Sequence, residues 1–164
     1  MPNGRALADD RVPPAEQTFT PAHIAGFAQF ERDLLESLVP AIDRTYPTVA
    51  ERGKRAIAGL SMGGGQALNY GLGHLDTFAW VGGFSSAPNT RPPSALLPDP
   101  TAARRLQLLY LSCGNRDGLL GISQGVHRYL REHGVQHVWN VDGYGHDRES
   151  WAENLAHFAR LLFR

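Results

Sequence analysis

The sequence predicts an α/β fold built on a mainly parallel sheet, and three features carry that prediction. Short apolar runs alternate with amphipathic helical stretches from residue 55 onward, the pattern of strand–helix–strand units with right-handed crossovers. The strand Leu106 to Cys113 is nearly continuous in apolar residues, as parallel strands covered on both faces are. Helix boundaries are punctuated as well: Thr20-Pro21 gives an N-cap with proline in the first helical position, and Gly134 stands where a helix-ending glycine belongs.

Taken in order, the first twenty residues are rich in Pro, Gly and Asp and read as loop. Ile24, Phe27, Phe30, Leu34, Leu38 and Ile42 then recur at helical spacing, with Pro40 expected to kink the helix and Tyr46-Pro47 to lie beyond its end. Arg55 to Gly59 is a short strand running into Ser61, followed by a helix from Met62 to about Leu72. Phe78 to Phe84 is the next strand, and Pro88 to Pro100 a proline-rich loop. After the strand 106–113, Ile122, Val126, Tyr129 and His133 mark a helix and Val135 to Val141 a fourth strand. Trp151, Leu155, Phe158 and Leu162 form the stripe of a last helix. Trp80 and Trp139, within strands, read as core.

Composition bounds what such a domain does. A chain of 164 residues suits one domain, here 1–164, with a real core, and 42% hydrophobic with 20% charged residues is ordinary for a globule. Sixteen basic residues cancel sixteen acidic ones, so no nucleic-acid or anionic-membrane partner is indicated. All the basic residues but Lys54 are arginine, a skew that fits genomic composition better than phosphate binding. No window approaches the roughly 18 apolar residues of a membrane span, and the N-terminal residues lack the apolar run of a signal peptide. Cys113, the lone cysteine, lies in an apolar strand and reads as a buried, inert thiol.

The chemistry concentrates in Gly59-Leu60-Ser61-Met62-Gly63. A G-x-S-x-G between strand and helix is the context of a nucleophile elbow, in which a strained turn lifts the serine above the sheet edge at the positive end of a helix. Small residues are needed on either side of the turn, and the Met62 N–H is placed as an oxyanion donor. Gly64 and Gly65 let the helix pack closely. A serine hydroxyl needs a base to take its proton. In elbow enzymes the partners follow in the order Asp or Glu, then His, at the ends of later strands. Asp117 in Gly114-Asn115-Arg116-Asp117-Gly118 and His146 in Gly143-Tyr144-Gly145-His146-Asp147 satisfy that order. Asp142 and Asp147 also bracket the histidine and are alternative orienting groups. His133 and His137 have metal-like spacing but no third ligand nearby, so no metal site is expected. Trp151 could line an acyl pocket or simply belong to the helix stripe. Ser85, ending the second strand, could contact substrate or cap its loop.

Gly59 to Asn69 resembles the nucleophile region of carbohydrate-esterase family 1, in particular the feruloyl-esterase modules attached to bacterial xylanases. Phe84 to Thr90, Cys113 to Asp117, and Gly143 to Asp147 with Trp151 match in order. The resemblance implies an α/β-hydrolase fold and a Ser61–Asp117–His146 triad. It further implies cofactor-free hydrolysis of a carboxylic ester of an acylated saccharide or a small aryl or alkyl ester, and an extracellular setting. Feruloyl esters come first; acetylxylan or short-chain esters, or a catalytically weak oligomerisation module, are the alternatives. In that family a run like Met1-Pro2-Asn3-Gly4 follows a strand well inside the domain, so the fold is expected to be truncated, lacking earlier strands and the second oxyanion donor. The Ser61 strand then becomes a sheet edge, and an exposed edge invites a homodimer or domain-swapped oligomer.

Overall fold

A computed structural model describes Ala6, Pro14 and residues 20–164, with the side chains of residues 22–24 excepted. The Met1–Gly4 run and the Ile24 side chain lie outside the described residues. The chain divides into two compact units, Met1–Ala50 and Glu51–Arg164.

In the first unit, α1 spans Pro21–Asp33 behind an extended Thr20, and the missing N–H of Pro21 costs nothing at a position that has no intrahelical partner. Phe27 and Phe30 are buried, Leu34 and Leu38 half-buried, and Ile42 exposed, so the apolar stripe fades along its length. The strain expected at Pro40 is taken up by a π-helical turn at Leu34–Leu38, where the Val39 N–H reaches the Leu34 carbonyl. A proline withholds its N–H from the carbonyl four residues back and crowds it, and widening the preceding turn relieves both effects. The helix resumes as α2, Val39–Thr45, and ends at an extended Tyr46 ahead of Pro47.

The second unit holds four parallel strands: β1 (Ala56–Leu60), β2 (Trp80–Phe84), β3 (Leu108–Gly114) and β4 (Val138–Asp142), side by side in chain order. Leu60 pairs with Phe84, Phe84 with Ser112, and Gly114 with Asp142, so all four strands deliver their following loops to one end. Between β1 and β2 lies α3 (Met62–Gly73), and α5 (Leu120–Glu132) links β3 to β4. The proline-rich loop holds a single helical turn, α4 (Pro93–Leu96), which touches both α3 and α5 and so lies on their face of the sheet. A 3₁₀ segment, Pro100–Arg105, follows it, capped by the Asp99 side chain on the Thr101 N–H. Gly134, at φ 66°, ends α5 in the left-handed conformation, with the Val135 N–H returned to the Leu130 carbonyl.

On the α3 face, Gly71 has Val81 and Ile57 so close that no side chain fits between helix and sheet. The opposite face is covered by α6 (Arg148–Leu161), which packs on β2 and β3. There Phe84, Tyr110 and Phe158 stand mutually edge-to-face, with centroids 5.7–5.8 Å apart, an arrangement that adds roughly 0.5–1.5 kcal/mol per pair beyond area burial. β1 lies at the end of the strand order and, among the described residues, pairs only with β2. Ala58 and Leu60 are exposed, Leu60 at 42%.

Trp80 is core, with its indole nitrogen on the Gly53 carbonyl, whereas Trp139 is half-buried and stacks on His127. The last helix also departs from its expected stripe. Leu155 is 53% exposed, and the buried side carries Ser150, Asn154 and Phe158. Two polar residues occupy core positions because they complete a hydrogen-bond network. Asn154, fully buried, accepts from the Tyr110 hydroxyl and the Asn140 amide, and donates to Asp142 Oδ2 and the Ser150 carbonyl. Ser150 Oγ donates to the same carboxylate at 2.7 Å. Burial pushes the Tyr110 hydroxyl up to about 12, so it remains a donor. Asn154→Ala should lower unfolding free energy by about 2–4 kcal/mol, the scale for breaking a buried, fully satisfied network. Urea unfolding measures this, and a loss below about 1 kcal/mol would mean water replaces the amide at little cost.

Candidate active site

The site is assembled at the carboxyl ends of the strands, where ligands bind in open α/β sheets. Its first component is a strained turn. Ser61, between β1 and α3, has φ 54° and ψ −121°, a conformation that L-residues rarely adopt. Such strain costs about 1–3 kcal/mol and persists only where surrounding contacts impose it. Here the Ser61 N–H donates to the Phe84 carbonyl at 2.9 Å, and its carbonyl accepts from the N–H groups of Ala87 and Gly65. Gly59 approaches Gly63 so closely that a Cβ on Gly59 would overlap the Gly63 carbonyl, while a Cβ on Gly63 would meet open space. Gly64 lies against the Phe84 carbonyl, which draws the start of α3 onto the end of β2. Asn89 braces this corner from the proline-rich loop, donating to the Met62 carbonyl while its own carbonyl accepts from Asn69.

The second component is the pair of loops after β3 and β4. They are tied together by the Asn115 N–H on the Asp142 carbonyl, the Arg116 N–H on the Tyr144 carbonyl and the Arg116 Nε on the Gly143 carbonyl. Asp117 and His146 ride on these loops. His146 Nδ1 lies 2.9 Å from Asp117 Oδ2, and His146 Nε2 lies 3.0 Å from Ser61 Oγ. An ionised carboxylate only accepts, so Nδ1 carries the hydrogen and Nε2 is left to accept from the serine hydroxyl.

Asp117 is buried, its side chain at 0% exposure against 34% for His146. Burial pushes its carboxyl up, but the Leu119 N–H, 2.8 Å from Oδ1, and His146 outweigh that and hold it below the usual carboxylate range. The two rival aspartates are engaged elsewhere. Asp142 serves Tyr144, Ser150 and Asn154, and Asp147 caps α6 through the Ser150 N–H while also accepting from Gly145.

Met62 opens α3, so its N–H has no intrahelical acceptor. Trp151, in the first turn of α6, meets the His146 imidazole edge-to-face at 5.0 Å. Ser85 is not where substrate contact requires it. It is 1% exposed, has φ 47°, and its hydroxyl is buried without a hydrogen-bond partner. The positive φ, with the Ser85 N–H on the Ser112 carbonyl, is not legible in the spacing. Cys113 is fully buried, and burial together with the neighbouring Asp117 charge raises its thiol to about 12, which leaves it unreactive at neutral pH.

His133 and His137 do not converge. His133 bonds the Tyr129 carbonyl, while His137 pairs with His127 at 2.8 Å, a contact that no spacing in the chain signals. Among the described residues, no three potential metal ligands cluster and no helix is long and apolar enough to cross a membrane.

A parallel sheet flanked by helices, with a strained serine elbow and loop-borne Asp and His at the same sheet end, defines an α/β-hydrolase. The family model for Esterase matches residues 1–158, and the chain belongs to that family. It is 31% identical over 137 residues to an endo-1,4-beta-xylanase/feruloyl esterase of Xylanibacter ruminicola, covering 83% of this chain and 18% of that one. A solved ferulic acid esterase is similar at 27% identity and TM-score 0.72, over 80% of this chain and 61% of that one. A carbohydrate-esterase family 1 ferulic acid esterase from Anaeromyces mucronatus, in complex with ferulic acid, shares the fold. It has TM-score 0.80 at 21% identity, over 96% of this chain and 61% of that one. The chain thus spans less than two thirds of the length of these relatives.

The glycines of the elbow are unequal, and substitution tests this. Gly59→Ala should abolish folding or displace the turn, whereas Gly63→Ala should be within about 1 kcal/mol of wild type, as an unopposed helical Ala for Gly is. Thermal unfolding of both variants distinguishes them, and equal behaviour would contradict the packing described.

Proposed function

We propose that this chain hydrolyses carboxylic esters through Ser61, His146 and Asp117, with feruloyl esters of plant polysaccharide as the substrate class. The observation that carries the reading is the continuous hydrogen-bonded line from Ser61 Oγ through both His146 nitrogens to a buried, ionised Asp117, set at a strained elbow. The relatives named for feruloyl or ferulic acid esterase activity support the substrate class.

In the proposed reaction His146 Nε2 takes the Ser61 proton as Oγ attacks the ester carbonyl. The oxyanion is held by the Met62 N–H at the positive end of α3. His146 then gives the proton to the leaving sugar alkoxide, and the C–O bond breaks to leave an acyl-Ser61 ester. Water deprotonated by His146 attacks that ester, and Ser61 recovers its proton as the acid departs. Asp117 keeps the Nδ1–H tautomer throughout and offsets the imidazolium charge. No cofactor enters any step. An assembled relay favours this reading over a catalytically weak module.

Turnover of p-nitrophenyl acetate and of methyl ferulate tests the reading. Ser61→Ala should remove activity by about 10³-fold or more, and Asp117→Asn by roughly 10²–10⁴-fold. Equal rates for wild type and Ser61→Ala would end the catalytic reading. Release of ferulate in preference to acetate from acylated xylan oligomers supports the substrate class, and the reverse preference replaces it with acetylxylan.

The oligomeric state follows from β1. Its outer backbone groups and the exposed Ala58 and Leu60 form an apolar strand edge, a template for pairing with a second copy as a homodimer or domain-swapped oligomer. Light scattering should report a dimer, and a monomer across a wide concentration range would refute it.

A further inference from the structure

The two hydrogen bonds of His146 leave the ring from Nδ1 and from Nε2. They fix the two nitrogens but not by themselves the tilt of the ring plane about the axis through them. His146 stands on an irregular loop with a third of its side chain open to solvent, so its own burial does not stop that motion. Among the described residues, one ring contact is placed to limit it. The Trp151 indole is set at 86° to the imidazole with centroids 5.0 Å apart.

Trp151 is itself well anchored. It lies in the first turn of α6, where Asp147 caps the Ser150 N–H, the Trp151 N–H reaches the Asp147 carbonyl, and Ser150 Oγ donates to Asp142. Its Nε1 is buried without a hydrogen-bond partner. An unpaired buried donor is destabilising, so the indole's polar atom does not explain why an aromatic ring is held here. The ring face and edge do.

We propose that Trp151 is a positioning residue, holding the His146 imidazole in the plane in which Nε2 addresses Ser61 Oγ and Nδ1 addresses Asp117. This rests on the esterase reading of those three residues. It assigns Trp151 to the histidine rather than to an aromatic acyl pocket, and the two roles differ in what they make of substrate. A positioning residue affects every ester alike through kcat. An acyl-pocket residue affects feruloyl esters through KM and leaves acetyl esters alone.

Trp151→Phe keeps an aromatic ring at the contact and discards the unpaired donor. It should retain kcat within about three-fold and be no less stable than wild type. Trp151→Leu fills volume without an aromatic ring. It should lose kcat by roughly 3- to 12-fold, the scale of one aromatic pair, equally on p-nitrophenyl acetate and methyl ferulate, with KM within about two-fold. Trp151→Met serves where the Leu variant does not fold. The proton on His146 Nδ1, observed by NMR as a low-field resonance, should broaden or vanish in the Leu or Met variant and persist in Phe.

A rise in KM confined to methyl ferulate would overturn the assignment in favour of an acyl pocket. Unchanged kcat in the Leu or Met variant would overturn it outright. If wild type shows no Ser61-dependent turnover, the esterase reading fails, and the Nδ1 resonance still decides whether Trp151 orders the ring.

Discussion

The geometry of the site depends on the backbone of Ser61. A serine at φ 54° is held there by contacts on three sides: the Phe84 carbonyl on its N–H, Ala87 and Gly65 on its carbonyl, and Gly59 pressed against Gly63 beneath it. The strain turns the side chain out of the strand direction and brings the start of α3 over the end of β2. Were the turn to relax, Ser61 Oγ would no longer be held 3.0 Å from His146 Nε2. The energy stored in one residue is small beside the packing that maintains it.

The other half of the site is rigid for a different reason. His146 sits in a loop, and loops are held by hydrogen bonds rather than by apolar packing. Asp142, at the end of β4, accepts from Tyr144, Ser150 and Asn154, which locks the loop to α6. Arg116 and Asn115 lock the same loop to the one that carries Asp117. The loops that carry Asp117 and His146 are therefore held to each other independently of their contact with Ser61. The buried Asn154 extends this frame to Tyr110 on β3, itself part of the aromatic cluster with Phe84 and Phe158.

Much of the fold was legible because its signals are local. Thr20-Pro21, the apolar strands, Gly134 and the spacing of Ser61, Asp117 and His146 each depend on residues close in the chain. The bounds of β2 and β3 begin two residues later than apolarity alone places them, because Gln107 and Leu108 both turn their N–H groups to the Ala79 carbonyl. The stripe of α6 was misread at Leu155 for a related reason. Ser150 and Asn154 look solvent-facing by polarity, and only their partners on β3 and β4 make burial favourable.

By itself, then, the sequence determined the α/β class, the elbow and the order of Ser61, Asp117 and His146 at successive strand ends, since periodicity, glycine spacing and strand ends are properties of the chain. Tertiary structure decided the rest. It set Asp117 on His146 Nδ1 and gave Asp142 and Asp147 hydrogen bonds elsewhere. It turned Ser85 inward through a positive φ that no spacing rule reveals. And it set Trp151 nearly perpendicular to His146, because the angle between two side chains is set by the helix and loop that carry them and not by the four residues that separate them.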